Sequence, residues 1–179
     1  ANCGGIIGDA NGNCSITNNI NGSSTVAASG AVIAKNAYAN TAYAGGIVGG
    51  DNEQIEKAWD GTRTSVITGN KNYAKVTAEG NGVTLTTAGA GGIVGVLSHA
   101  PGTFSDNTNY GNVSASDATT NAAGAICGYM ESTKAAISSI AYTGLTVNGV
   151  AKADASDLNL WLCGSSKGGT VTATYVDAI

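Results

Sequence analysis

The chain repeats one short glycine-rich phrase at long intervals. Gly-Gly-Ile-Val-Gly occurs at residues 45–49 and again at 91–95, each time directly after an alanine. Looser copies give phrases at residues 3–8, 44–49, 90–95, 123–128 and 159–164. Their closing glycines stand at positions 8, 49, 95, 128 and 164, so they are 41, 46, 33 and 36 residues apart. A repeat of this length is one supersecondary unit that must stack on its neighbours to bury its apolar face.

A second motif lies between the glycine phrases. Residues 67–77 and 104–114 both run from a large apolar residue through five residues to a tyrosine, then through two residues to a valine and a hydroxyl residue. Tyr73 and Tyr110 therefore hold equivalent positions, and weaker copies of the motif lie at 16–26 and 137–147. Two motifs that keep their order along the chain predict a single repeat domain over residues 1–179.

Composition indicates a folded chain and excludes two classes of partner. Of 179 residues 27 are glycine and 42% are hydrophobic, with a net charge of −4, which is not the composition of a disordered chain. The eight basic residues are dispersed and form no patch that would bind nucleic acid. No apolar stretch approaches the ~20 residues of a membrane-spanning helix.

The residue pattern predicts an all-β fold. Runs rich in Val, Ile and Thr are short and are bounded by Gly, Asn, Asp or Ser, and turn pairs such as Asn148-Gly149 require positive φ. With the repeat, this favours a parallel β-solenoid of about 4–5 coils, each with about three short strands. The alternative is an antiparallel β-sandwich or prism, whose hairpins would need longer and more regularly alternating strands.

In a solenoid, equivalent residues of successive coils stack in ladders about 4.8 Å apart. The phrases predict two neighbouring ladders, one of Ile7, Val48, Val94, Cys127 and Cys163, the other of Ile6, Ile47, Ile93, Ile126 and Leu162. Because adjacent residues of a strand point to opposite faces, at most one of these ladders is expected to face the interior.

One segment departs from the repeat. Residues 52–59 are rich in helix formers, with acidic residues in the first turn and with Ile55 and Trp59 four positions apart. They predict a short helical insertion at about residues 50–63, which also accounts for the long step of 46 residues.

Catalytic and metal-binding residues are sparse. His99 is the only histidine and no Cys-x-x-Cys pair exists, so we expect no catalytic triad, no zinc site and no cofactor. The only dense acidic cluster is Asp51, Glu53, Glu56 and Asp60. Glycosidic cleavage needs two carboxylates held about 5 to 9.5 Å apart, so the cluster supports a polysaccharide-cleaving enzyme only as the weaker alternative to a non-enzymatic protein.

Aromatic and amide side chains form the candidate ligand-binding set. Tyrosine and tryptophan rings stack on sugar rings much as they stack on one another. The predicted site, on the side that carries the insertion, consists of Trp59, Tyr73, Asn107, Asn109 and Tyr110. The expected partner is a surface glycan or a host or matrix protein.

The four cysteines predict two disulfides. Cys127 and Cys163 hold equivalent positions on consecutive coils, which would bring their Cα atoms about 4.8 Å apart, within the range that a disulfide spans. Cys3 and Cys14 would form the other bridge. Buried free thiols at Cys127 and Cys163 are the alternative, because side chains stacked in parallel register can miss the torsion that the bond requires.

The two motifs together resemble the GLUG-type repeats of secreted and surface proteins of Bacteroidota and Firmicutes. The best copies are residues 44–49, 90–95 and 109–114, and the resemblance covers about residues 1–165, although Trp161 replaces a glycine in the last phrase. It implies a secreted or bacterial cell-surface protein, adhesive or matrix-like, with no catalytic residues. The expected function is therefore non-catalytic adhesion or scaffolding, with a dedicated carbohydrate-binding module as the alternative.

Overall fold

The computed structural model describes residues 1–10, 14–25, 30–36, 40–51, 65–80, 87–98, 103–131, 136–142, 145–151, 162–166 and 170–176. Every element bounded within these ranges is a β-strand. The strands of successive repeats pair in parallel and build stacked sheets. The predicted parallel β-solenoid is confirmed.

The strands group into coils in chain order. Coil 1 contains β1 (Asn2–Gly4), β2 (Ile7–Asp9), β3 (Ser15–Thr17), β4 (Ile20–Asn21) and β5 (Val32–Lys35). Coil 2 contains β6 (Thr41–Gly45), β7 (Val48–Asp51), β8 (Val66–Thr68), β9 (Lys71–Asn72) and β10 (Val76–Glu79). Coil 3 contains β11 (Thr87–Gly91), β12 (Val94–Leu97), β13 (Thr103–Ser105), β14 (Asn107–Asn109) and β15 (Val113–Ser116). Coil 4 contains β16 (Thr120–Gly124), β17 (Cys127–Met130), β18 (Ala136–Tyr142), β19 (Thr146–Val147) and β20 (Val150–Ala151), and coil 5 contains β21 (Cys163–Ser166) and β22 (Thr170–Val176).

Five sheets run along the stack in the described part of the chain. In strand order they are sheet 1 (β1-β6-β11-β16), sheet 2 (β2-β7-β12-β17-β21), sheet 3 (β3-β8-β13), sheet 4 (β4-β9-β14-β18-β22) and sheet 5 (β5-β10-β15-β19-β20). Each of the first three coils gives one strand to every sheet, so the expectation of about three strands per coil is wrong. Two-residue strands such as β4 and β9 are too short to show a period of their own in the sequence.

The first predicted ladder is confirmed along its whole length. Ile7 pairs in register with Val48, Val48 with Val94, Val94 with Cys127, and Cys127 with Cys163. The glycine phrases are therefore equivalent positions of successive coils, as their spacing predicted.

The expectation that only one of the two ladders faces the interior is wrong. The glycine phrase is a corner rather than a strand: β6 ends at Gly45, residues 46 and 47 form a bend, and β7 begins at Val48. Since the backbone changes direction between them, Ile47 and Val48 both pack into the core, and each is 0% exposed.

Coil 1 has extra residues after Asn21. The weak motif copy at 16–26 predicts that Val26 holds the position of Val76, but Val32 is the residue that pairs in register with Val76. Val26 itself lies outside the described residues.

The predicted helical insertion at 50–63 also lies outside the described residues, except for Gly50 and Asp51, which belong to β7.

A hairpin closes sheet 5 at the end away from coil 1. Strand β20 pairs antiparallel with β19, whereas the solenoid strands pair in parallel. The turn residues Asn148 and Gly149 have φ of 49° and 77°, as a type I′ turn requires. The predicted positive φ at this Asn-Gly pair is confirmed.

The closing glycines pack against sheet 1, which predicts a difference between two of them. A Cβ atom on Gly49 would lie 2.5 Å from the Gly8 carbonyl oxygen and 2.6 Å from the backbone of Cys3, whereas one on Gly8 would meet only the Asn2 oxygen, at 3.4 Å. Gly49→Ala should therefore lower the free energy of unfolding by about 2 kcal/mol, or roughly 4 to 8 °C in Tm. Gly8→Ala, at the equivalent position of coil 1, should change Tm little. Equal Tm values for the two variants, measured by thermal unfolding, would contradict this packing.

Candidate functional site

The equivalent tyrosines form a stacked pair on the corner between sheets 4 and 5. Tyr73 follows β9 and Tyr110 follows β14, and their backbone N–H groups donate to the carbonyl oxygens of Asn21 and Asn72, at 2.8 Å each. Their ring centroids are 4.4 Å apart and the ring planes differ by 10°. Both rings are half-buried. The column predicted from the repeat is confirmed.

Only part of this column has room for a ligand ring. At 4.4 Å, the two rings cover each other's facing sides. On the side of coil 1, the residue equivalent to Tyr73 is Gly22, which follows the register pair Asn21 and Asn72. Gly22 is exposed and has no side chain to cover the outer face of the Tyr73 ring. On the other side, the position equivalent to Tyr110 is held by Tyr142.

The asparagines predicted to face a ligand do not do so. Asn107 and Asn109 are 0% exposed, and their amides are hydrogen-bonded inside the solenoid. The expectation that they present amide groups on an exposed surface is wrong. They belong to two interior asparagine ladders.

The first ladder consists of Asn21, Asn72 and Asn109. Asn21 Nδ2 donates to Asn72 Oδ1, and Asn72 Nδ2 donates to Asn109 Oδ1, both at 2.9 Å. Asn72 also closes a small loop. Its Nδ2 donates to the Ala74 carbonyl and its Oδ1 accepts from the Ala74 N–H, at 2.9 and 3.2 Å. Asn109 bonds Gly111 in the same way. Each tyrosine therefore lies at the tip of a loop that its preceding asparagine closes.

The second ladder consists of Asn19, Asn70 and Asn107. Asn19 Nδ2 donates to Asn70 Oδ1 at 2.9 Å, and Asn70 Nδ2 donates to Asn107 Oδ1 at 2.8 Å. The remaining amide protons reach backbone carbonyls across the corner, from Asn70 to Ile16 and from Asn107 to Ile67. The sequence signal for both ladders is Asn-x-Asn, which recurs at 19–21, 70–72 and 107–109.

The first ladder lies directly against the glycine corner across the interior. Asn21 Nδ2 donates to the Gly46 carbonyl at 2.8 Å. A Cβ on Gly46 would overlap the Asn72 side chain, and a Cβ on Gly92 would overlap that of Asn109. In coil 4 the glycine and the asparagine are both replaced by alanine. Gly91 pairs in register with Gly124, so Ala125 holds the position of Gly92, and Ala141 holds that of Asn109. The second glycine of the phrase is thus required by the asparagine opposite it.

A second aromatic pair joins sheets 1 and 2. The rings of Tyr43 and Tyr129 have centroids 6.4 Å apart and planes that differ by 16°. Tyr43 is 5% exposed, and burial, with smaller contributions from the charges of Glu131 and Tyr129, raises its pKa to about 12. The ring also lies over Gly89, where a Cβ would come 2.7 Å from it. The Tyr43 ring is therefore a packed structural contact, whereas the Tyr129 ring is half-buried.

The two predicted disulfides, Cys3–Cys14 and Cys127–Cys163, are not formed in the structure. Cys127 and Cys163 are register partners, as the ladder predicted, and both are buried. Their S–H groups donate to the carbonyls of Tyr129 and Ser165, at 3.6 and 3.2 Å. Side chains stacked in parallel do not adopt the ~90° torsion of a disulfide without rearrangement, and burial raises the pKa of the Cys127 thiol.

Cys3 lies in sheet 1, whereas Cys14 directly precedes strand β3 of sheet 3. Cys3 pairs in register with Ala44 in sheet 1, whereas the Cys14 carbonyl accepts from Val66 at the start of sheet 3. Both are partly buried against the core. They share no register position of the kind that relates Cys127 to Cys163.

Several predicted residues lie outside the described ranges, namely Trp59, His99, Glu53, Glu56 and Asp60. Of the acidic cluster only the backbone of Asp51 is described, at the end of β7. In the described ranges, no three His, Cys, Asp or Glu side chains come together in a way that could hold a metal ion. Nor do those ranges include a helix long and apolar enough to cross a membrane.

Comparison of the chain with protein-family models, with curated proteins and with solved structures found no match. The resemblance to GLUG-type repeats therefore remains a prediction from the motifs.

Replacing a central ladder asparagine should destabilise the fold strongly. Asn72→Asp removes the donor to Asn109 Oδ1 and to the Ala74 carbonyl, and it places a carboxylate at a position that is 0% exposed. The free energy of unfolding should fall by about 3 kcal/mol at neutral pH. Because burial raises the pKa of the introduced carboxyl, part of this loss should be recovered as the pH falls towards about 4.

The matched control is Asn121→Asp, since the Asn121 side chain is exposed and its amide bonds the backbone of Ala118. Its loss should stay below about 1 kcal/mol in urea unfolding. A similar loss in both variants would mean that the buried ladder adds nothing specific to stability.

The raised pKa of Tyr43 predicts that the folded chain loses stability at alkaline pH. Its pKa of about 12 in the folded chain lies above the value of about 10 expected when unfolded. The stability linked to its neutral form is therefore complete below pH ~10 and is lost as the pH rises through about 12. In urea unfolding, the free energy of unfolding of the wild type should fall over this pH range relative to that of Tyr43→Phe, which has no phenol to ionise. A difference independent of pH would contradict the assignment.

Proposed function

We propose that this chain is a non-catalytic, extracellular or cell-surface repeat protein that acts in adhesion or scaffolding by binding a glycan at the Tyr73–Tyr110 column. The observation that carries the proposal is the stacked pair of half-buried rings beside an exposed glycine. An adhesive protein can bind either a glycan or another protein. We favour the glycan because stacked tyrosine rings offer a flat face on which a sugar ring can stack.

The chemistry of the column suits a neutral pyranose. One face of the Tyr73 ring is backed by Tyr110 at 4.4 Å, so the ring is held in a fixed plane. Its other face is directed to the level of coil 1, where Gly22 leaves space for the C–H face of a sugar ring. Lys71, which precedes this loop on the outer side of sheet 4, is exposed, and no carboxylate of the described residues pairs with it.

The repeat architecture supports a scaffolding role. Coils stacked in register form a rigid support, and loops that project from a rigid support are where binding residues are usually placed. The alternative of a dedicated carbohydrate-binding module uses the same column and differs only in what the chain is attached to. The alternative of a polysaccharide-cleaving enzyme depends on carboxylates near Asp51–Asp60, of which only the backbone of Asp51 is described.

A substitution series on a ligand found by glycan-array screening tests the proposal. Tyr73→Ala should weaken binding at least about tenfold, a difference of ~1.4 kcal/mol, because the stacking face is lost. Tyr73→Phe keeps the ring and should retain most of the affinity. Titration calorimetry against the selected glycan gives both values.

Tyr129→Ala is the matched control, since it removes a half-buried ring from the other aromatic pair. It should lower Tm without changing the affinity. If Tyr73→Ala keeps full affinity while its Tm falls as much as that of the control, the column is a structural ladder only.

A further inference from the structure

Two thiols are stacked inside the solenoid, between coils 4 and 5. Cys127 and Cys163 pair in register and are 0% and 5% exposed. The Cys127 thiol donates to the Tyr129 carbonyl oxygen, and the sulfur–oxygen distance is 3.6 Å. The Cys163 thiol donates to Ser165 in the same way, at 3.2 Å. Since Tyr129 and Ser165 are themselves register partners, the two side chains point in the same direction along their strands.

The distance between side chains stacked in this way follows the spacing of the strands, which is about 4.8 Å. A disulfide needs its two sulfur atoms about 2.05 Å apart, which the stack does not provide. A metal ion between two thiolates needs more room, because two bonds of the length of a zinc–sulfur bond, placed in line, span about 4.6 Å. The thiols hydrogen-bond each other, so no other group lies between them. The stack therefore suits an ion held by two sulfur atoms.

The surroundings of the pair select the class of ion. In the part of the chain that the structure describes, no third His, Cys, Asp or Glu side chain joins the two thiols. The four ligands of a zinc site and the oxygen ligands of calcium or magnesium are therefore missing there. Thiolates select soft ions such as Cu(I). On the side of coil 3 the next ladder residue is Val94, which is 0% exposed, so this side of the pair is apolar and dry.

Backbone donors support the thiolate form of both cysteines. A backbone hydrogen bond joins Leu97 to the Cys127 sulfur, and an equivalent bond joins Met130 to the Cys163 sulfur. Both bonds favour the charged sulfur, so the backbone N–H is the donor in each. Leu97 and Met130 are register partners, so the repeat supplies one such donor to each thiol. These donors offset part of the cost of burying the single negative charge of Cu(I) with two thiolates.

We infer that Cys127 and Cys163 bind one Cu(I) ion, held in line between their two sulfur atoms. On binding, each thiol releases its proton and each sulfur donates one lone pair to the ion, so no electron is transferred. The ion then links sheet 2 of coil 4 to sheet 2 of coil 5 through side chains as well as through the backbone. This site is separate from the tyrosine column and does not depend on glycan binding.

Substitution of either ligand by valine tests the site without disturbing the ladder. Valine already holds the same ladder position in coils 2 and 3, as Val48 and Val94, so Cys127→Val and Cys163→Val should both fold. Each should weaken Cu(I) binding at least about a hundredfold, because one sulfur cannot hold the ion in line. The affinity is measured without oxygen by competition with a chromogenic Cu(I) chelator. Because the thiols are buried, the reduced full chain is refolded in the presence of Cu(I).

A variant that carries both Cys3→Ser and Cys14→Ser separates the pair from the other two cysteines. It should bind one Cu(I) ion per chain with the affinity of the wild type, and X-ray absorption should show two sulfur neighbours on the copper. Cu(I) at a hundred times its dissociation constant should raise the Tm of this variant by about 5 °C or more, because the ion binds the folded chain. Zn(II) at the same concentration should leave Tm unchanged.

The inference is wrong if this double variant binds no copper although circular dichroism shows that it is folded. It is also wrong if Cys127→Val or Cys163→Val binds Cu(I) as tightly as the wild type. A Tm that Cu(I) does not raise would contradict it as well, since thiols of the unfolded chain would then bind the ion equally well.

Discussion

The contact between the asparagine ladder and the glycine corner sets the dimensions of the interior. Asn21, Asn72 and Asn109 reach across from sheet 4 to the corner between sheets 1 and 2, and Asn21 bonds the Gly46 carbonyl directly. A methyl group on the facing glycine would overlap the amide. At this level the coil is therefore as narrow as one asparagine side chain.

The ladders also specify register. A buried amide without partners costs about 1–3 kcal/mol, so each asparagine must meet the asparagine of the next coil at the correct level. The apolar ladders alone would tolerate a slip more readily, because the hydrophobic effect is non-directional and a slip leaves no polar group without a partner. The closing glycines of the first three coils are 41 and 46 residues apart, and these unequal steps are compatible with one register because the amides restore it in each of these coils.

Most of the fold could be predicted from the sequence, because ladders in a solenoid leave equivalent residues at equivalent repeat positions. The ladder from Ile7 to Cys163 and the Tyr73–Tyr110 stack both follow from that rule. The number of strands per coil did not, since two-residue strands carry no periodic signal. Asn107 and Asn109 were misassigned because the residue type is the same for a buried ladder amide and an exposed one. The neighbouring glycines were the missing signal, because an asparagine facing a glycine corner has space inside the coil.

The structural and binding roles of the repeat meet in the loop that follows sheet 4. Asn72 and Asn109 close the loops whose tips are Tyr73 and Tyr110, and the same amides form the interior ladder. The loop that carries each ring is therefore held by hydrogen bonds from inside the solenoid, and the stack of the two rings restrains their planes. A ring held in this way loses little freedom when a ligand stacks on it, so less of the interaction energy is offset by ordering. The repeat thus couples the rigidity of its core to the surface that we propose for binding.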